Sequence, residues 1–587
     1  MSQPFRLGVL LAGVALLHLL LALVATYPAI LSFNTALIGG GDSAQNAWNL
    51  WWVRLAAGRG EIFPFYTSML YHPKGVSLAF HTLGLFNDWI GVVLQSVLGV
   101  NLQTTFNLIV ITTFVATGLA TFYLVLSLTN SPVAALCASL IFTYAPIRMS
   151  RVLFGNLNLY STQFIPITVL FFIKAFQTQK WRYVILAALG LALTALSSLE
   201  LAFGTGILLF LVYISYRLAV KLPQLRRQLG PDVRILLAFT GLTVLFTLPL
   251  LLAMLSSYGD FAGQSNQVQA STLNSADLLG FFIPDHITSP VASRGIKAIA
   301  DTSQSIYQTF YGNPYEKTVF IGYAVIILLI LSAVVSRTPD TWRWIFISGV
   351  FFILSLGPVL YVAGNPIFQH MPYSIFSRLP LASLGRSPGR LAIFLMLALA
   401  VVVGYGVAGL ESRSRNYRYL ILLVCALIYG EYLIIPMKLD YRLSDVPDYY
   451  HQLASDPDPG AAVLDVPIDL YGAQGLAINY MVYQIVHQKP IVGGYISRTP
   501  EKALWLFKRP FLRALRARIY GNETPYGFDK KTLAGAMKDL ELLGVRYVIL
   551  HADELQPGDF ATLRAVLVSV LAEPDYEDGR LTVWKIP

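Results

Sequence analysis

Apolar residues fall along this chain in long unbroken runs separated by short polar punctuation, the pattern of helices buried in hydrocarbon rather than of helices packed on a soluble core. Runs long enough to cross about 30 Å of hydrocarbon lie near residues 7 to 31, 104 to 127, 132 to 147, 159 to 176, 182 to 198, 199 to 217, 235 to 256, 317 to 335, 343 to 361, 390 to 410 and 418 to 436. The pattern therefore predicts a polytopic α-helical membrane protein of roughly eleven spans. The stretch from Leu85 to Gly99 is apolar but short and is broken early by Asn87 and Asp88, so it reads as a re-entrant or interfacial helix.

Basic residues cluster between the runs: Lys174, Lys180 and Arg182; Arg217, Lys221, Arg226, Arg227 and Arg234; Arg337 and Arg343; Arg413, Arg415 and Arg418. With a cytoplasmic N-terminus and the Leu85 stretch left out of the count, every cluster falls on the cytoplasmic side, as the positive-inside rule requires. The opposite side then receives loops at 32–103 and 257–316, short segments at 148–158 and 363–389, and everything after residue 439.

Two domains follow from this: a membrane region over 1–439 and an extracytoplasmic soluble region over 440–587. In the second, Ala461 to Val466 and Val545 to Leu550 read as buried strands, Leu533 to Leu543 as a helix and Leu581 to Ile586 as a last strand, giving a small α/β or α+β domain. Gly493-Gly494 is a turn signal, and no nucleotide-binding glycine fingerprint is present.

Composition changes the picture little. With 55% hydrophobic and 13% charged residues and a mean hydropathy of +0.60, the chain has too little charge for a soluble protein of 587 residues. The net charge of +10 is explained by the basic clusters, which leaves no case for nucleic-acid binding. Cys137 and Cys425 both lie in apolar runs, so neither a disulfide nor a thiolate metal site is indicated. The first run, preceded by Arg6, is longer than a signal-peptide core and reads as a retained span, and no lipidation motif is visible.

Candidate chemistry gathers in the outer segments. Gly39-Gly40-Gly41-Asp42 leads into Ser43-Ala44-Gln45-Asn46-Ala47-Trp48-Asn49-Leu50-Trp51-Trp52, whose apolar positions and tryptophans fit one face of an interfacial helix. Asp42, with Gln45 three residues on, matches a capping box; the other reading is a carboxylate at the bilayer surface that takes a proton from a hydroxyl.

His72, Lys74 and His81 place two imidazoles and an ammonium in one loop, suited to a phosphate, although Pro73 and Gly75 equally suit a plain turn. Arg148 and Arg151, just before Phe154-Gly155-Asn156-Leu157-Asn158-Leu159, and Arg386 and Arg390 in Leu384-Gly385-Arg386-Ser387-Pro388-Gly389-Arg390 put cations on the disfavoured side of the membrane. A donor phosphate or an anionic lipid headgroup would account for them.

Glu200 sits at a tight outer turn between two spans, and His18 within the first span reads as a hydrogen-bonded packing residue. Ser275-Ala276-Asp277-Leu278-Leu279-Gly280-Phe281-Phe282-Ile283-Pro284-Asp285-His286 suggests a cover that docks on the membrane, or a passively packed loop. No spacing of His, Asp and Glu supports a metal site, and no cofactor is indicated.

Asp42 with its helix, the Arg148 to Asn158 loop, the Asp277 to Pro284 segment and the Arg386 to Arg390 run together resemble the membrane glycosyltransferases of the GT-C superfamily, and among them its YfhO-like bacterial branch. The resemblance implies a GT-C-like fold and transfer of a sugar from a polyprenyl-phosphate-linked donor to a glycan, lipid or protein acceptor at the outer face of the cell membrane. It makes Asp42 the catalytic base, with Glu200 and Asp277 as further acidic candidates, and Arg148, Arg151, Arg386, Arg390, His72 and Lys74 the candidates for the donor phosphate. Many members carry a second acidic residue beside the first; Ser43 occupies that place here, which argues against a metal-dependent version. The competing functions are a transporter or flippase for lipid-linked glycans and a catalytically silent envelope scaffold.

Overall fold

The computed structural model describes residues 3–218, 222–261, 267–285, 297–376, 385–469, 475–517 and 528–587. Among them, six helices are long and apolar enough to cross a membrane: Arg6–Ala25, Leu102–Thr129, Leu157–Thr178, Leu199–Arg217, Leu229–Asp260 and Pro388–Arg413. The pair Pro132–Thr143 and Pro146–Leu153, bent by 42°, is long and apolar enough only when the two helices are taken together, as a broken span or a re-entrant loop. The bend has a local cause, since Pro146 forces Ala145 into an extended conformation (φ −47°, ψ 136°) and cannot donate to the preceding turn.

The remaining sequence-predicted spans are helices of 13 to 17 residues, Trp181–Ser197, Tyr323–Val335, Pro339–Ser355 and Tyr417–Tyr432. The difference from roughly eleven full-length spans lies in these shorter helices. Leu85–Leu98 forms a 14-residue helix with Asn87 and Asp88 buried and Ile90, Val93 and Val97 exposed along one face.

Helix Pro388–Arg413 is the axis of the bundle, buried along most of its length against Pro132–Thr143, Pro339–Ser355 and Tyr323–Val335. Outer helices instead leave apolar side chains uncovered, such as Leu16 and Leu20 on Gln3–Ala25 and Leu237, Leu245 and Leu252 on Leu222–Phe261. Water would penalise such surfaces, whereas lipid does not. His18 is fully buried with Nε2 3.1 Å from Ser139 Oγ, the packing role read from the sequence.

Beyond the bundle, the C-terminal part carries a four-stranded sheet in the order Ala462–Val466, Val545–His551, Leu581–Lys585, Tyr576–Glu577, with the first pair parallel and the others antiparallel. It is stitched to the rest of the chain. Leu37–Ile38 pairs antiparallel with Leu439–Asp440, and the backbones of residues 69–72 and 491–493 exchange hydrogen bonds.

Helix Ser43–Gly58 lies between these parts. Trp48, Trp51 and Trp52 are all buried; Trp48 Nε1 donates to Gln484 Oε1 at 2.7 Å, and the helix packs on Leu476–His487. The expectation that the tryptophan face of this helix meets the lipid headgroups is therefore corrected, because that face is covered by protein.

Candidate active site

A rigid turn presents Asp42. Gly39 (φ +92°) and Gly155 (φ +76°) each approach the opposite strand of chain too closely for a side chain: a Cβ at Gly39 would lie 2.3 Å from the Val152 carbonyl, and one at Gly155 2.2 Å from Ser43 Oγ. Across this contact Gly40 N donates to Leu153 O (2.9 Å) and Asp42 N to Phe154 O (3.0 Å). Asn46 Nδ2 donates to Gly155 O (3.0 Å), and Asn156 Nδ2 to Asp42 Oδ2 (2.6 Å).

The capping-box expectation is corrected: Asp42 holds the position before the helix but makes no side-chain capping bond, its carboxylate being turned to Asn156. Burial raises its pKa above the ordinary carboxylate value, against the opposing pull of Arg390, Arg442, the Asn156 bond and Arg151.

Four charged side chains form a chain beside it. Arg390 donates through Nη1 to Glu200 Oε2 and through Nη2 to Glu316 Oε1, both at 2.6 Å, while Arg151 Nη2 donates to Glu316 Oε2 at 2.9 Å. Burial alone would raise the Glu316 pKa, but Arg151 and Arg390 together bring it down to about 2. Glu200 keeps its second oxygen, Oε1, buried without a hydrogen-bond partner among the described residues.

Glu200 and Arg390 line a cavity of about 80 Å³ together with Arg386, His81, Ser497, Arg498 and Asn158. His81 Nδ1 accepts the backbone N–H of Ser497 at 3.1 Å, which places its proton on Nε2, 3.1 Å from Asn49 Oδ1. Burial lowers its pKa to about 3, so it is a neutral spacer rather than a cation. Farther along helix Leu199–Leu218, Phe203, Ile207 and Phe210 face Ile353 and Phe376 across an apolar cleft of about 640 Å³.

Of the residues singled out in the sequence, Asp42, Glu200, Arg386, Arg390 and, through Glu316, Arg151 come together. The others do not. Arg148 is 1% exposed, with its guanidinium bonded to Thr143 O, Tyr160 O, Thr162 Oγ1 and Thr113 Oγ1 and stacked 4.4 Å from the Phe114 ring. Such a saturated cation is a packing element.

Asp277 is equally enclosed, accepting the backbone N–H groups of Leu279, Ala363 and Gly364. His72 and Lys74 belong to the seam with the C-terminal part: His72 N donates to Ile491 O, and Lys74 Nζ lies 4.4 Å from the Trp505 ring. Leu384 and His286, quoted with their motifs, lie outside the described residues. Among the described residues no three His, Cys, Asp or Glu side chains gather as a metal site.

Glu316, Asn156, Ser497 and Arg498 were missed as site residues by sequence reasoning. Asn156 lies inside a quoted motif and Glu316 closes a loop directly before an apolar run, so both carried a weak signal. Arg498 carried none, since only the return of residues 494–499 onto the loop that holds Tyr71 and His81 brings it to the cavity.

Residues 15–429 match the model of a family described as "Domain of unknown function (DUF6311)". No curated protein matches the sequence. The cryo-EM structure of arabinofuranosyltransferase AftD from Mycobacteria is similar, with a TM-score of 0.56 and 14% identity over 100% of this chain and 40% of that one. The oligosaccharyltransferase of Archaeoglobus fulgidus in its apo form gives 0.51 and 12% identity over 97% of this chain and 71% of that one. The archaeal oligosaccharyltransferase AglB from the same organism, in complex with an inhibitory peptide and a dolichol-phosphate, gives 0.50 and 12% identity over 95% and 71%. The chain thus shares its fold with these arabinofuranosyltransferase and oligosaccharyltransferase structures, and it spans less than half the length of the arabinofuranosyltransferase.

Proposed function

We propose that this chain, which belongs to the DUF6311 family, is a membrane glycosyltransferase that moves a sugar from a polyprenyl-phosphate-linked donor to an acceptor hydroxyl on the extracytoplasmic side. The observation that carries the reading is the clamp on Asp42: a carboxylate fixed by Asn156 and by two crossing backbones, within electrostatic reach of the Arg390 that borders a polar cavity. Its structural relatives bear the names of glycosyltransferases, one of them solved with dolichol-phosphate. The YfhO-like likeness remains a reading from the motifs.

In this mechanism the acceptor hydroxyl attacks the anomeric carbon of the donor sugar as Asp42 takes its proton, and the bond from that carbon to the phosphate oxygen breaks. The phosphate leaves with the bonding electrons, and Arg390 and Arg386 stabilise the charge that develops on it. Glu200, pinned through Oε2 by Arg390, offers Oε1 to a sugar hydroxyl. The apolar cleft along helix Leu199–Leu218 would hold the start of the carrier chain, because it shares that helix with Glu200 and is lined by hydrocarbon side chains. Arg151 acts through Glu316, whereas Arg148, Asp277, His72 and Lys74 hold structure.

The residues assigned outward by the positive-inside rule are the ones that meet around Asp42, which supports a site on the outer face with the region 440–587 beside it. The test is turnover: full-length protein in lipid nanodiscs is given polyprenyl-phosphate-linked sugars and envelope extract, and release of polyprenyl phosphate is followed by mass spectrometry. Release dependent on both protein and extract is expected; none from any donor present in the native membrane would overturn the reading.

A further inference from the structure

Three consecutive glycines, Gly39, Gly40 and Gly41, lead into Asp42, and a chain this free in φ and ψ holds one conformation only where outside contacts impose it. Residues 438–442, where the helical bundle passes into the C-terminal part, supply such contacts. Leu439–Asp440 pairs with Leu37–Ile38, Gly39 N donates to Lys438 O at 2.8 Å, and the aliphatic stem of Lys438 lies over Gly40, where a Cβ would meet it at 2.8 Å.

Arg442 makes the contact nearest Asp42. Its Nη2 donates to Gly41 O at 2.7 Å, while Asp42 N, on the other edge of the same peptide plane, donates to Phe154 O at 3.0 Å. The peptide that carries Asp42 is thus held from both sides. Arg442 is itself fixed, since its Nε lies 3.0 Å from each oxygen of Asp440, its Nη2 also donates to Asp440 Oδ2, and its Nη1 reaches Asn479 Oδ1 at 3.4 Å. A guanidinium suits this place, because one planar fork binds a carboxylate and keeps protons for a carbonyl.

The charge matters as well as the bond. Burial favours the neutral form of Asp42, and Arg442 opposes it together with Arg390 from the start of the central helix and Arg151 from Pro146–Leu153. Tyr495 comes within electrostatic reach of the same carboxylate from the C-terminal part; burial and Asp42 both raise its pKa, so it stays neutral. Lys438 and Asp440 are the other charged groups of the segment, and Asp440 tempers the pull of Arg442 without removing it.

We propose that Arg442 is a positioning residue for Asp42, locking the peptide that carries the base and keeping its carboxylate ionised, so that the chain beyond the last helix of the bundle completes the site. That Asp42 is the base rests on the glycosyltransferase reading. Its coupling to Arg442 does not.

Carbodiimides modify protonated carboxyl groups, so the pH midpoint of Asp42 modification, read by peptide mass spectrometry on the full-length protein in lipid nanodiscs, reports its ionisation without turnover. Loss of a cation beside a carboxylate disfavours the charged form. Arg442→Gln should therefore raise the midpoint by about half a unit or more and lower kcat for sugar transfer by roughly tenfold or more, with the donor KM nearly unchanged. Arg442→Lys keeps the charge but not the fork, so the midpoint should return to the wild-type value while kcat recovers only in part. Asp440→Asn keeps an acceptor for Arg442 and removes its counter-charge, so the midpoint should fall; this variant decides the case if thermal unfolding shows that Arg442→Gln does not fold.

Wild-type midpoints in folded Arg442→Gln and Asp440→Asn would overturn the proposal. So would a fall in kcat and melting temperature with no movement of the midpoint, the signature of a purely structural contact. A midpoint that moves as expected in a protein that transfers no sugar refutes the glycosyltransferase function and leaves the coupling standing, whereas an unmoved midpoint in an active enzyme does the reverse.

Discussion

Asn156 Nδ2 donates a 2.6 Å hydrogen bond to Asp42 Oδ2, joining the loop after the first apolar helix to the loop that follows the bent helix pair, 114 residues later in the sequence. This bond fixes which carboxylate oxygen remains for chemistry. It also favours the ionised form of a group that burial otherwise pushes toward neutrality.

Asn156→Ala therefore has two expected effects. Loss of one oriented hydrogen bond to a charged group, worth about 1.5–3 kcal/mol, should lower kcat by roughly ten- to a hundredfold. Because the bond stabilises the charged form, its removal raises the Asp42 pKa further, and a base works only when ionised. The acid limb of the pH–rate profile should move to higher pH, while Asn156→Asp or →Ser variants separate the loss of the donor from a general loss of packing. An acid limb that stays in place would remove Asn156 from the role of positioning residue.

Gly155→Ala tests the clamp by geometry alone. The new methyl group would collide with Ser43 Oγ at 2.2 Å and Ser43 N at 2.3 Å, on a backbone already at φ +76°. A destabilisation of about 1–3 kcal/mol is expected, together with a loss of sugar transfer larger than that of any equally destabilised variant in helix Gln3–Ala25. Transfer at the wild-type rate would mean that the turn does not set the position of Asp42.

Glu316 is 2% exposed and holds both Arg151 and Arg390. Glu316→Gln strands a buried guanidinium and should cost about 3–5 kcal/mol, measured by thermal or denaturant unfolding. The pKa of Glu316 is depressed when the protein is folded, so its stabilising effect is present above its unfolded value of 4.5 and is lost as pH falls toward about 2. That acid-dependent loss should be weaker in the Gln variant. An equal loss in both proteins would place the acid sensitivity elsewhere.

Sidedness is tested by cysteine labelling in intact cells. Ser68 and Ser455 are exposed in the structure, and Cys137 and Cys425 are buried, so single cysteines at 68 and 455 report cleanly. Both should react with a membrane-impermeant maleimide. Protection of both until the cells are lysed would invert the topology and move the site to the cytoplasmic face.

Much of this was legible in the chain itself, because hydrocarbon-length apolar runs and turn glycines act locally. The Gly39 to Asp42 turn, the Phe154-Gly155-Asn156 motif and Glu200 at the turn between two helices could be read from spacing and charge. What failed was set at long range. The tryptophans at 48, 51 and 52 looked lipid-facing because nothing local announces that helix Leu476–His487 will cover them.

Arg148 looked like a ligand for phosphate because its acceptors are carbonyl and hydroxyl oxygens that carry no sequence signature. Asp277 looked like a candidate acid, and it serves as an anchor for backbone N–H groups 86 and 87 residues away. Arg498 has no local pattern at all, and its place depends on the seam between residues 69–82 and 491–499.

The most direct test of the central claim is the rate of sugar transfer by Asp42→Asn beside its thermal stability. The Asp42 side chain makes no capping bond, and an Asn oxygen can still accept from Asn156, so the melting temperature should hardly change. An amide cannot take the proton of the acceptor hydroxyl, so transfer from the lipid-linked donor should fall by roughly a hundredfold or more. A folded Asp42→Asn protein that transfers sugar at the wild-type rate would contradict the assignment of Asp42 as the base and, with it, the mechanism built on that carboxylate.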